Sequence, residues 1–163
     1  MAQLDQEQLN VWHKLKAFRN NFVLAGGTAL MLQIGHRLSY DFDYHPFPIL
    51  KPPIKTQSLD LFHVDDLAAN KANVIGRRGQ WRDYVDLFYL LKTKLYSLEK
   101  IINLARKKFG IEFNDRLFLQ QLIYFDDLIP SKTEFLKKNY TDKQIKRELE
   151  TQVSEFVRRK LSK

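Results

Sequence analysis

The chain has 163 residues, 44% of them hydrophobic and 28% charged, a mixture that excludes wholesale disorder and suits one domain of ordinary size with a real core. It carries no cysteine, which excludes disulfides, zinc–thiolate sites and a cysteine nucleophile together. The formal charge of +8 is uneven: residues 1–90 hold 10 basic and 9 acidic side chains, whereas residues 91–163 hold 17 and 10. A surplus gathered in one half favours a polyanionic partner, with a solvated lysine-rich surface as the plain alternative. No apolar run approaches the length of a membrane span. Met1-Ala2-Gln3-Leu4-Asp5 has neither the basic start nor the apolar block of a secretory leader, so a cytoplasmic protein with no membrane contact is expected.

In chain order, Leu4, Leu9, Trp12, Leu15 and Phe18 recur at helical spacing and predict an amphipathic helix over residues 4–18. Phe22 to Ala25 reads as a short buried strand and Gly26-Gly27 as a tight turn. Thr28 then caps a helix that ends before Gly35. Tyr40 to His45 alternates aromatic and polar residues, which is strand periodicity. Pro46, Pro48, Pro52 and Pro53 predict an extended connection, followed by a short strand at Leu59 to Phe62. From Asp65 the pattern is helical. One helix covers Asp66 to Ile75 and stops at Gly76 to Gly79, and a second covers Trp81 to Leu95. Caps at Ser97, Asn114, Ser131 (with Glu134) and Thr141 (with Gln144) start four more.

Alternation along a strand puts Asp41 and Asp43 on one face and Tyr40, Phe42 and Tyr44 on the other. Paired carboxylates repel unless a cation lies between them, and magnesium suits such oxygen ligands together with substrate phosphates. Two solvated aspartates are the bland alternative. Upstream, the strand, glycine turn and helix start at Gly26, Gly27 and Thr28 offer close backbone approach and unpaired amides to a phosphate. Lys71 falls in the middle of the stripe made by Leu67, Val74 and Ile75, where a lone ammonium is costly and calls for an anion or for snorkelling. Asp83 and Asp86 fall in a polar sector with Arg82 and read as an exposed, ion-paired helix face. His36 and Arg37 are candidates to touch phosphate or base, with solvated loop residues as the plainer reading, and His45 is a weak candidate ligand beside the acidic pair.

The stretch Ala25-Gly26-Gly27-Thr28-Ala29-Leu30, continued by His36-Arg37-Leu38-Ser39-Tyr40-Asp41-Phe42-Asp43, resembles the signature of the AbiEii/AbiGii toxin family of nucleotidyltransferases. That family belongs to type IV toxin–antitoxin and abortive-infection systems, within the polymerase β-like superfamily. Asp66 to Ala72, Arg78, Trp81 to Leu87 and Tyr124 to Asp127 resemble its later blocks. The resemblance implies an α+β fold. A small mixed-sheet nucleotidyltransferase core over 1–64 would be followed by a C-terminal helical bundle over 65–163, which completes the site and carries the basic excess. It implies that Gly26, Gly27, Thr28 and Ser39 bind nucleotide and that Asp41 and Asp43 hold Mg2+ or Mn2+. Lys71 would bind nucleotide and Asp83 would act in catalysis. The substrate would be a nucleoside triphosphate and the acceptor an RNA, such as a tRNA 3′ end, or a protein hydroxyl, with a cognate antitoxin as a further partner. A third carboxylate is expected on a later strand, for which Asp60 is the candidate. Only 27 residues separate Asp43 from Lys71, short for that family. The alternatives are a catalytically impaired nucleotide- or RNA-binding relic and a toxin–antitoxin interaction module.

Overall fold

The computed structural model describes residues 4–44, 49–129 and 131–162. Asp5 starts the first helix by accepting the Gln8 amide while the Gln8 side chain accepts the Asp5 amide, which satisfies two of the donors a helix start leaves unpaired. This helix, α1 (Gln6–Leu15), tightens into a 3₁₀ turn at Lys16–Phe18. Strand β1 (Leu24–Ala25) leads without an intervening loop into α2 (Gly26–Ile34), which ends at Gly35 in the left-handed conformation. Strand β2 (Asp43–Tyr44) runs antiparallel to β1, with Leu24 opposite Tyr44 and Ala25 opposite Asp43. Single bridges extend the pairing: Leu24 meets Leu61 in parallel, and Leu61 meets Ile54 antiparallel.

Helix α3 (Val64–Arg78) opens with two buried carboxylates. Asp66 accepts the amides of Leu50 and Lys51, and Asp65 pairs with the Lys51 ammonium at 3.2 Å. Four helices follow: α4 (Trp81–Lys92), α5 (Leu98–Phe109), α6 (Asp115–Leu122) and α7 (Asp142–Leu161). The caps expected at Ser97, Asn114 and Thr141 are in place.

The chain divides into two compact units. The first comprises Met1–Leu67 with Glu134–Lys137, and the second Ala68–Thr133 with Lys138–Lys163. In the first, Leu24, Ala29, Leu30, Met31, Leu61 and Phe62 are fully buried or nearly so. In the second, α4 is buried along nearly its whole length, and Ile145, Leu149 and Val153 form the buried stripe of α7. No helix among the described residues is long and apolar enough to cross a membrane.

The expected α+β fold with a mixed-sheet nucleotidyltransferase core is overturned. The chain is mostly helical, and β structure among the described residues is limited to the β1–β2 pair and isolated bridges. The physical reason lies in the residues on either side. Gly26 takes a φ of +67° and turns the chain into α2 after only two strand residues, so β2 finds no longer partner. Pro52 and Pro53 lack amide hydrogens, and the chain around Ile54 contributes only a single bridge.

Smaller expectations shift too. The glycines are the first turn of α2 rather than a turn before it, and Ala25, not Thr28, occupies the cap position. Helix α3 runs through Gly76. The Ser131–Glu134 capping pattern starts no helix, and Phe135 instead bridges antiparallel to Arg37. His45, Pro46 and Pro48 lie outside the described residues.

Because Leu149 is fully buried whereas Leu161 is 83% exposed, α7 is a core element rather than an appendage. Leu149→Ala is expected to cost about 2–5 kcal/mol in urea unfolding. Leu161→Ala is expected to stay within about 0.5 kcal/mol of the parent.

Candidate functional site

The first unit gathers six of the expected site residues around the start of α2. Ala25 caps that helix in extended conformation without a side-chain hydrogen bond, so the cap supplies no oxygen to the first-turn amides. The register that sets Asp43 opposite Ala25 brings its carboxylate over Gly26: a β-carbon there would lie 2.1 Å from Asp43 Oδ2. At Gly27 a β-carbon would lie 2.6 Å from Ser39 Oγ and 2.8 Å from an Arg37 guanidinium nitrogen. Both glycines are therefore needed for close approach, and Gly26 also for its positive φ.

Thr28 is fully buried, and its hydroxyl donates to the Asp41 carbonyl and lies 3.2 Å from Ser39 Oγ. Ser39 is held from the other side by Gln8, whose Nε2 donates to its carbonyl at 2.7 Å. Asp41 and Asp43 themselves are exposed. Of the strand expected over Tyr40 to His45, Asp43–Tyr44 is strand among the described residues, and Tyr40 to Phe42 is not. Tyr40 is exposed, while Phe42 stacks on Trp12 with ring centres 6.3 Å apart.

Arg37 and His36 are buried, contrary to the solvated reading. A strap from far along the chain holds them. The Leu38 amide donates to the Glu134 carbonyl, the Leu136 amide to the His36 carbonyl, and Lys137 Nζ to the Ile34 carbonyl at 2.9 Å. The Arg37 guanidinium also donates to the Leu38 carbonyl. Nothing local in the sequence distinguishes Arg37 from a surface arginine, because its burial depends on residues about a hundred positions away.

Asp60 does not join the acidic pair. Burial pushes its carboxyl upward, but the Lys55 ammonium at 2.5 Å and Arg19 at 3.4 Å hold it below the usual carboxylate range. The pairing also points it away. With Leu61 beside Leu24, the residue beside Ala25 is Phe62, so Asp60 falls toward Val23 while Asp41 lies toward Gly27. Among the described residues no three His, Asp or Glu side chains are grouped to hold a metal ion. Asp41 and Asp43 are two exposed carboxylates, the donor type of which a magnesium ion takes one or two beside water and phosphate.

Lys71, Asp83 and Asp86 meet in the second unit. Lys71 on α3 is buried, with its ammonium 2.6 Å from Asp83 Oδ1 and 2.8 Å from Asp86 Oδ2. Burial alone would lower the lysine pKa, but the charges of Asp86 and Asp83 outweigh it and raise the value. The second oxygen of Asp83 accepts the Gln80 amide and closes the capping box of α4. The exposed-face reading of Asp83 and Asp86 therefore fails: both are buried and share the ammonium of a lysine one helix earlier. As placed, the Lys71 ammonium is committed to carboxylates rather than open to a triphosphate.

No family model matches the chain, and no solved structure matches it. The chain is 28% identical to an uncharacterized protein of Aquifex aeolicus (strain VF5) over 178 positions, covering 78% of this chain and 85% of that protein. An alignment longer than the chain itself means that the relative carries positions with no counterpart here.

Two substitutions test this geometry. Gly26→Ala puts a methyl group into the Asp43 carboxylate and a β-carbon at a left-handed φ, and is expected to cost at least about 1–2 kcal/mol in thermal unfolding. Lys71→Ala removes the ammonium shared by two buried carboxylates and is expected to cost about 3–5 kcal/mol, read by urea unfolding. A lysine serving only a ligand would leave stability unchanged. Folding raises the Lys71 pKa, so its contribution is fully present below about pH 10.4 and is lost as the pH climbs through the higher folded value. The stability difference between parent and Lys71→Ala should shrink over that alkaline range.

Proposed function

We propose that the chain is a metal-dependent nucleotidyltransferase of the AbiEii/AbiGii toxin type, acting on a nucleoside triphosphate and transferring a nucleotide to an RNA hydroxyl such as a tRNA 3′ end. The observation that carries the reading is the meeting of Asp43 with Gly26 at a helix start that has no side-chain cap, with Asp41 and Ser39 alongside. The amides of the first turn of α2, with the helix dipole behind them, suit the phosphates. Arg37, pressed against Gly27, adds a fixed positive charge beside them. Asp41 and Asp43 would hold magnesium or manganese, which supplies charge neutralisation on the phosphates and a more acidic acceptor hydroxyl. The acceptor oxygen forms a bond to the α-phosphorus, the bond to the β-phosphate bridge breaks, and pyrophosphate leaves while the hydroxyl proton passes to water. Lys71, Asp83 and Asp86 act in this reading as the brace that fixes α3 against α4.

A second reading, nucleotide binding without turnover, is favoured by one observation: Asp60, the candidate third carboxylate, is tied to Lys55 and Arg19. Incubation with magnesium, each radiolabelled nucleoside triphosphate and total tRNA separates the two. Label transferred by the parent and lost in Asp41→Ala and in Asp43→Ala is the expected result. Binding of nucleotide without transfer identifies the impaired form. Absence of both, with a stable complex to an antitoxin that Asp41→Ala does not disturb, would replace the enzyme with an interaction module.

A further inference from the structure

Helix α7 presents a second surface that the acidic pair does not use. Its buried stripe is Ile145, Leu149 and Val153, and the side opposite carries Gln144, Arg147, Thr151, Ser154 and Arg158, all exposed and spaced three or four residues apart. No carboxylate interrupts this column. Glu148 lies to one side and is paired with Lys92 at 2.7 Å, and Glu150 and Glu155 flank it. Arg147 and Arg158 are separated by three helical turns, about 16 Å.

The relief of the surface follows the column. At the N-terminal end of α7 a groove of about 330 Å3 is lined by Phe88, Lys138, Tyr140, Gln144 and Arg147, among others. A second depression is lined by Arg147, Thr151, Ser154 and Arg158 with Glu150 and Glu155 on its walls, and a third holds Arg158, Arg159 and Lys160 beside Glu99. In the groove the Tyr140 ring stands edge-on to Phe88 with centres 4.9 Å apart, and Lys138 Nζ lies 5.5 Å from the Tyr140 ring centre. Two exposed arginines on one helix face, with Lys138 and the Tyr140 ring at its N-terminal end, are the kinds of contact by which proteins hold single-stranded nucleic acid, phosphates on the charges and a base on the ring. A lipid surface would need an apolar face, and that face of α7 is turned into the core.

We propose that this side of α7 binds single-stranded RNA, with Arg147 and Arg158 on its phosphates and Tyr140 against a base. The inference rests on the reading of an RNA acceptor and gives that acceptor a location on the second unit. Its test disables the chemistry, so that the two can fail separately. A 5′-fluorescein-labelled single-stranded RNA is titrated with the full chain in EDTA at several salt concentrations and followed by fluorescence anisotropy. The double variant Arg147→Ala/Arg158→Ala is compared with Lys107→Ala/Arg116→Ala, which removes the same charge from exposed positions on α5 and α6. Matched thermal unfolding confirms that both fold.

The α7 pair should weaken binding by about tenfold or more at moderate salt and lower the slope of log affinity against log salt by about 1.4, the loss of two phosphate contacts. The control pair should change affinity by no more than about twofold, and Tyr140→Leu should weaken binding with the slope unchanged. Equal weakening by the two double variants would overturn the proposal, leaving only net charge. Binding to phosphatidylglycerol vesicles with none to RNA would overturn it in favour of a lipid surface. Parent label transfer with RNA binding indifferent to Arg147 and Arg158 would overturn this inference alone, whereas intact α7-dependent binding without label transfer would sink only the enzymatic reading.

Discussion

Lys71 is an ammonium withdrawn from water and shared between two buried carboxylates, and the second unit is organised around that fact. A buried charge is tolerable only when its partners are close and themselves held. Asp83 meets the condition by also closing the start of α4, so one carboxylate ends a turn, starts a helix and neutralises a cation. Gly79 lets the chain make that turn: a β-carbon there would lie 3.1 Å from the backbone of Ile75 and 2.9 Å from its side chain. With α4 fixed in this way, its other buried residues can face α7, whose Ile145 and Leu149 are fully enclosed.

The first unit solves a different problem with the same economy. Two strand residues are enough to align Ala25 with Asp43, and that single register places a carboxylate over the glycine that begins α2. Everything around the turn then has to be small, hydrogen-bonded or both. Gly27 leaves room for the Arg37 guanidinium, Thr28 ties down the Asp41 carbonyl, and Gln8 reaches across from α1 to the Ser39 carbonyl. The site is shaped chiefly by backbone approach and fixed dipoles, with its two carboxylates left at the surface.

Much of this was legible in local pattern. The caps at Ser97, Asn114 and Thr141, the left-handed Gly35 and the helical spacing of α1 are short-range physics, decided within a few residues. The grouping of Gly26 to Thr28 with Asp41 and Asp43 followed from the strand–turn–helix pattern. What the sequence concealed depends on partners far along the chain. The burial of Arg37 requires the strap, and that of Asp83 and Asp86 requires Lys71. The Ser131–Glu134 pattern starts no helix, because Phe135 is drawn into pairing with Arg37. The expected sheet failed for a conformational reason, since alternation in Tyr40 to Tyr44 specifies a strand but cannot supply it with neighbours.

The strap has a consequence for how the molecule is made. Glu134–Lys137 belongs to the unit formed by the first 67 residues, so that unit is discontinuous in the chain. A ribosome delivers its last piece only after α3 through α6 have been synthesised, and until then the His36 carbonyl and the Leu38 amide lack these partners. The N-terminal region therefore cannot complete itself as a nascent domain in the usual vectorial order. Its acidic pair and glycine turn gain this support only once residues 134–137 have left the exit tunnel, which delays the assembly of the candidate site until after α3 through α6.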